Sequence, residues 1–188
     1  KILNKTFTVG TIKSIEQHNG IDCFLDAAKL IIHDYKKDIK FLIVGDGSLK
    51  KDMQQKAIDI GLEEKVEFTG FIPHDDVKKY YFYLSIFIAV SRRESFGVSV
   101  LEAASCEIPA ITSNIGGLIE VNSHNKTGIV INVDNPRELA ESIIQLYNDK
   151  ALRKKFGINA RKRVIKKFNW EKNVNQMTHI YKNIDKSL

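Results

Sequence analysis

The chain is poor in cysteine and has no hydrophobic run of membrane length. Its two cysteines, Cys23 and Cys106, stand far apart, with no CxxC and no Cys/His ligand spacing around them. That excludes a disulfide framework and a zinc ribbon, and leaves two reduced core thiols. No apolar stretch reaches the ~18 residues that a membrane span needs. Internal repeats, low-complexity tracts and Pro/Gly-rich linkers are missing too, so the 188 residues read as one domain, 1–188. No GxGxxG follows the first apolar strand; VGTIKSIEQHNG stands there instead, which argues against a Rossmann dehydrogenase. The chain opens KILNKTFTVG, without Met, and we read that start as a cut inside a longer gene product.

What is present is a core. Phe, Ile, Leu and Val make up about a third of the residues, far above the disordered signature. Charge is unevenly spread. Residues 150–188 hold twelve Lys or Arg against Glu171 and Asp185, a net of +10, so the first 149 residues carry −4 of the total +6. A basic tail on an acidic body suits an anionic membrane surface or nucleic acid. A solvated helical face is the reading that composition favours. The tail lacks the aromatic interleaving and the recognition helix of a nucleic-acid reader, so no nucleic-acid partner is expected.

Along the first 135 residues two periodicities alternate. Thr6–Thr11, Lys40–Val44, Lys65–Thr69, Ser85–Val90, Pro109–Thr112 and Thr127–Val133 read as short strands. Between them, Ile21–His33, Leu49–Ile60 (with Ser48 as its N-cap), a short helix through Tyr83 opened by His74 or Asp75, Phe96–Cys106 and one turn over Gly117–Asn122 read as helical. After Pro136 only helices follow, over Arg137–Tyr147, Ala151–Phe168 and Trp170–Ile184. The pattern predicts an α/β fold: a Rossmann-like, doubly wound parallel sheet of about six strands, flanked by helices, with a helical C-terminal end. Ligands of such sheets bind outside the carboxyl ends of the strands. The candidate loops are therefore Thr11–Gly20, Gly45–Ser48, Ser91–Val98 and Ser113–Gly117.

The chemistry concentrates in SRRESFGVSVLE, Ser91–Glu102. Gly97 permits close backbone approach, and the free amides of the helix that follows favour an anion. Glu94 precedes that helix, and Glu102 lies about one and a half turns inside it. Two ionised carboxylates so placed can accept hydrogen bonds from the hydroxyls of one extended ligand. By spacing alone, a capping Glu94 and an exposed Glu102 explain the pattern equally well.

ESFGVSVLE, then ASCEIPAITSNIGGLIEV and TGIVI, together with FLIVGDG, VEFTGFIPHDDV and the FNW before the last helix, resemble the C-terminal domain of family-four (group 1) retaining glycosyltransferases of the GT-B fold. The resemblance runs from Val9 to the last helix. The family's Glu-x7-Glu element matches Glu94 and Glu102. The resemblance implies that Glu94 meets the donor sugar hydroxyls, and that Phe96, Gly97 and Val98 offer amides to the sugar or diphosphate. Glu102 would hold the ribose, and Gly10 and Thr11 would flank the diphosphate. Val44–Gly47, with Gly45, and Gly70–Pro73 would wall the nucleobase. It implies a UDP-, GDP- or ADP-sugar as donor substrate, no cofactor and no metal, with positive side chains and helix dipoles in the place of a cation.

The sequence departs from the family where an Arg and a Lys usually serve the diphosphate, because Thr11 and Asn19 hold those places. Lys13 is the expected substitute and is taken as catalytic with Glu94. His18 comes second, a weaker partner for a diphosphate when neutral. Arg93 is a further candidate, and the Gly116-Gly117 turn is expected beside the donor. Glu107 stands where a glycine is common, which should alter a helix end. His33, His124 and His179 are expected on solvated faces or loops, and Tyr80–Tyr83 in core and rim.

The resemblance implies a donor domain that, with its own N-terminal domain, transfers a sugar to a carbohydrate or lipid-linked acceptor. The expected setting is cytoplasmic, and the basic helices leave open a peripheral place on the inner face of the plasma membrane. A non-catalytic nucleotide-sugar sensor is the first alternative, and a basic nucleic-acid-binding module a more remote one.

Overall fold

The computed structural model describes residues 6–185. Six strands form one sheet: β1 Thr8–Ile12, β2 Lys40–Val44, β3 Val66–Gly70, β4 Ile86–Ala89, β5 Ala110–Ser113 and β6 Gly128–Ile131. All are parallel, in the order β3-β2-β1-β4-β5-β6. The order reverses between β1 and β4, which is where a doubly wound sheet opens a crevice at its carboxyl edge.

The strands are apolar runs because both of their faces are covered. On β2, Phe41 and Ile43 join one core layer while Leu42 and Val44 join the other. The first layer is closed by α1 (Ile21–His33), by α2 (Lys50–Asp59) through Ala57, and by α6 (Pro136–Asn148) through Leu139, Ala140, Ile143 and Leu146. The second is closed by α3 (His74–Tyr81), α4 (Val98–Ser105) and α5 (Leu118–Val121), through Tyr81, Val100, Ala103, Leu118 and Val121.

Two further helices complete the chain, α7 (Lys150–Lys167) and α8 (Trp170–Asp185). Helix α7 packs on α4, α6 and β6. It comes so close to the turn after α4 that a Cβ on Gly157 would stand 1.9 Å from the Glu107 carbonyl oxygen. Glu107 itself holds φ = 59°, the left-handed conformation that explains why glycine suits its position. From Trp170 to Asn183, every residue of α8 is exposed.

The sheet and helices match the sequence reading to within a few residues at most ends. One local feature differs. Ser48 does not cap α2, whose N-cap is Leu49, with no side-chain cap bond. The Ser48 hydroxyl and amide both donate to the Glu16 carboxylate instead, at 2.5 and 2.9 Å. An acceptor on the neighbouring loop outcompeted the helix end. Pro136 begins α6 at the first helical position, where its missing N–H costs nothing, and Asn135 accepts from the Glu138 amide at 3.0 Å.

Candidate functional site

Lys13 follows β1, and Ser91 and Glu94 follow β4, so the strand order brings them together at the β1/β4 crevice despite 81 residues of separation. The Lys13 ammonium donates to Ser91 Oγ at 2.7 Å and forms a close ion pair with Glu94 Oε2. Both charged side chains are largely covered, 11 % and 17 % exposed. Ser91 is fully buried, and its carbonyl accepts the Ser113 hydroxyl at 2.6 Å, which ties the ends of β4 and β5. Burial pushes the Glu94 carboxyl up, but the Lys13 ammonium and the amides of Phe96 and Ser95 outweigh it and hold the group below its ordinary value. The crevice therefore presents an ionised carboxylate beside a cation.

Glycines let the loops touch backbone to backbone. At Gly45 (φ +139°) a Cβ would lie 2.0 Å from the Lys13 carbonyl oxygen, and at Gly116 (φ +40°) 2.2 Å from that of Glu94. The Gly117 amide donates to the Glu94 carbonyl at 3.3 Å. Helix α4 then opens after Gly97 (φ +94°) with no side-chain cap, so the amides of its first turn point toward the crevice end. Val98 is exposed there, and Phe96 packs edge to face on Phe168.

Glu102 sits on the side of α4 that faces α3. The Tyr81 hydroxyl donates to its Oε2 at 2.6 Å, with a longer bond to the Ser99 carbonyl at 3.3 Å. Burial first, and then Glu102, push the Tyr81 phenol far up, so it remains a neutral donor. Among the described residues Glu102 Oε1 has no partner. One oxygen is fixed and the other is available to a ligand.

The first loop is fastened by Arg92. Its amide donates to the His18 carbonyl at 2.7 Å, and its guanidinium to the Gln17 carbonyl at 2.6 Å, to both oxygens of Asp22 and to Asp134. Hydrogen bonds to Asp22 and then Asp134 raise the guanidinium pKa further, while Asp22, which burial pushes up, is brought below its usual value by Arg92. Asn19 is buried and closes the same loop, giving both amide hydrogens to Ser14 at 2.9 Å. His18 is exposed on the 3-10 turn Gln17–Asn19. The Gly45 and Gly70 loops meet through the Gly45 amide and Gly70 carbonyl, at 3.2 Å.

The structure thus gathers Lys13, Glu94, Gly45, Phe96, Gly97, Gly116 and Gly117 around one crevice. Arg93 is exposed and has no partner among the described residues. Thr11 is buried within β1, and Gly10 lies mid-strand, where a Cβ would overlap the Leu42 carbonyl oxygen and Leu84. Sequence reasoning missed Ser91, Arg92 and Tyr81. Two adjacent arginines carry no sign of which one turns inward, and YYFY does not say which hydroxyl finds a carboxylate. His33 bonds the Ile60 carbonyl, and His124 accepts from the Val130 amide, both exposed. Among the described residues no three His, Cys, Asp or Glu side chains form a metal-binding group. A hollow of about 950 Å³ lies near the amino ends of β1–β3, lined by Lys40, Glu67, Tyr80 and Tyr83 among others. Ile72 and Pro73, expected in the nucleobase wall, line it, whereas Lys13, Glu94, Gly45, Gly97, Gly116 and Gly117 do not.

A doubly wound sheet with a cation–carboxylate pair and an uncapped helix at its switch point defines a Rossmann-like domain. The chain belongs to the glycosyl transferases group 1 family, which matches residues 1–163. The capsular polysaccharide biosynthesis glycosyltransferase CapM of Staphylococcus aureus is 31 % identical over 176 residues, covering 91 % of this chain and 46 % of CapM. The crystal structure of the C-terminal domain of LpcC, a group 1 glycosyl transferase of Francisella tularensis, superposes with a TM-score of 0.80 at 25 % identity, over 87 % of each chain. The G117R mutant of S. aureus TarM, solved with UDP, alpha-GlcNAc-glycerol and fondaparinux, superposes with a TM-score of 0.86 at 26 % identity, over 94 % of this chain and 36 % of TarM. The chain spans less than half the length of the curated relatives it matches first.

Proposed function

We propose that this chain is the nucleotide-sugar-binding domain of a retaining glycosyltransferase, and that a second, N-terminal domain completes its cleft and carries the acceptor, a polysaccharide or glycolipid precursor. The observation that carries the reading is the Lys13–Glu94 pair at the switch crevice, beside the uncapped start of α4. The presence of UDP in the TarM structure supports a nucleoside diphosphate there. The apolar stripe Trp170, Val174, Met177 and Tyr181 along α8, exposed throughout, supports a further domain to cover it. The proposed setting is the cytoplasm.

In this reading Glu102 takes the ribose diol, with Tyr81 holding its other oxygen. Lys13 and the amides of α4 take the diphosphate, and Glu94 takes the sugar hydroxyls. The anomeric C–O bond to the diphosphate breaks while the acceptor oxygen bonds to the same face of that carbon. The acceptor proton passes to the leaving phosphate, whose charge Lys13 and the helix stabilise.

Calorimetric titration with UDP, GDP and ADP, with and without magnesium, tests the proposal. Metal-independent binding of one nucleotide, lost in Glu102→Ala, is expected. Absence of binding to all three in the full-length protein refutes it, and binding without transfer of the sugar makes the protein a sensor.

A further inference from the structure

The basic character of α7 is sorted by residue type. Lys150–Lys167 carries nine Lys or Arg and no acid. Its three arginines turn inward. Arg153 donates to the carbonyls of Leu146 and Tyr147 and lies over the Phe7 ring. Arg161 donates to the Ser105 carbonyl, and Arg163 donates to the Glu120 carbonyl and lies over Phe168. These arginines fasten α7 to the sheet and its helices.

The six lysines do none of this. Lys150, Lys154, Lys155, Lys162, Lys166 and Lys167 are exposed, and among the described residues none has an ion-pair or hydrogen-bond partner. Fold stability therefore does not explain them, since like charges on one helix face repel. Between their rows runs an apolar line with a spacing of seven, Ala151, Ile158 and Ile165, and Ile165 is 58 % exposed. Lys150 and Lys154 lie on one side of that line, and Lys155, Lys162 and Lys166 on the other, along ~27 Å of helix.

We infer that the outer face of α7 is a docking surface for an anionic lipid bilayer. Lysines on flexible stems reach the headgroups, and Ile165, the exposed isoleucine of the line beside the half-buried Ile158, presses into the boundary between headgroups and chains. A surface for single-stranded nucleic acid would use this charge too, but it stacks bases on aromatic rings, and the outer face of α7 has none. The apolar line has a use against a bilayer and none against phosphates alone. The inference does not depend on which nucleotide the crevice holds.

The test is flotation of the full-length protein with phosphatidylcholine vesicles, and with vesicles containing about a third phosphatidylglycerol, at low and high salt. We expect flotation with the anionic vesicles alone, released by salt. Each lysine near such a surface contributes about fivefold in partitioning. The triple variant Lys154→Gln/Lys155→Gln/Lys162→Gln, which spares the last turn of α7, should lower partitioning about a hundredfold, and Ile165→Asn should lower it with charge unchanged. Nucleotide binding, measured on the same preparations, stays at the wild-type level and shows that the variants are folded. Equal flotation with neutral vesicles, none with either, or a triple variant that floats like wild type overturns the inference. So does binding to single-stranded RNA that the triple variant loses while vesicle binding is absent.

Discussion

Lys13→Met removes the ammonium and keeps the stem. Glu94 then stands 17 % exposed with only its two amides to oppose burial. An exposed ion pair contributes ~0–1 kcal/mol, and breaking a fully buried one costs about 3–5 kcal/mol. This pair lies between those limits, and a charge-assisted hydrogen bond of its kind contributes about 1.5–3 kcal/mol. A loss of about 2 kcal/mol, at ~2–4 °C per kcal/mol for a chain of this length, lowers Tm by about 4–8 °C. The pH dependence has a definite sign. Glu94 is depressed in the folded protein, so its contribution is present above the ordinary value of 4.5 and is lost as pH falls through the depressed one. In Lys13→Met that contribution is gone at neutral pH. The gap between variant and wild type should be widest at pH 7 and close toward acid. Urea denaturation of Lys13→Met, Glu94→Gln and the double variant should give a coupling of about 2 kcal/mol at pH 7. A gap that stays constant as pH falls from 7 to about 3, through the window below 4.5, or single effects that simply add, refutes the argument.

Three other outcomes follow from the same geometry. Tyr81→Phe removes one hydroxyl from Glu102 and, in the proposed reading, should weaken nucleoside diphosphate binding about tenfold by calorimetry, with the fold retained. Gly157→Ala would gain ~1 kcal/mol by helix propensity alone; with its Cβ 1.9 Å from the Glu107 carbonyl oxygen, overpacking that costs up to about 3 kcal/mol outweighs that gain, so the urea midpoint should fall instead. Arg92→Lys keeps the charge but loses the forked grip on Asp22, Asp134 and the Gln17 carbonyl, so amide exchange across residues 14–20 should accelerate while α1 stays protected.

The sheet was legible in the sequence because its strands are apolar on both sides, as in KFLIV and SIFIAV, and the intervening helices show their own period. The strand order is not written in any such run. It follows from packing, and with it comes the meeting of Lys13 and Glu94, which the sequence named separately. The Ser48 cap failed because Glu16, 32 residues earlier, reaches the same hydroxyl. Arg92 and Arg93 differ only in the turn the backbone takes after β4, a choice no composition reveals. Asn19 is the clearest lesson. Read against a family lysine it looked like a loss, whereas in the structure its amide closes the first loop on Ser14.

The seams at Gly45 and Gly116 bear on how this protein can diverge. A side chain of any size at either position would force apart Lys13 or Glu94 and its neighbour, whatever the merits of the new residue for a ligand. Inheritance therefore has little freedom at these two codons. In the proposed reading, changes of donor preference fall to exposed positions of the other loops at this edge, such as Phe71 after β3 and Arg93 and Ser95 after β4.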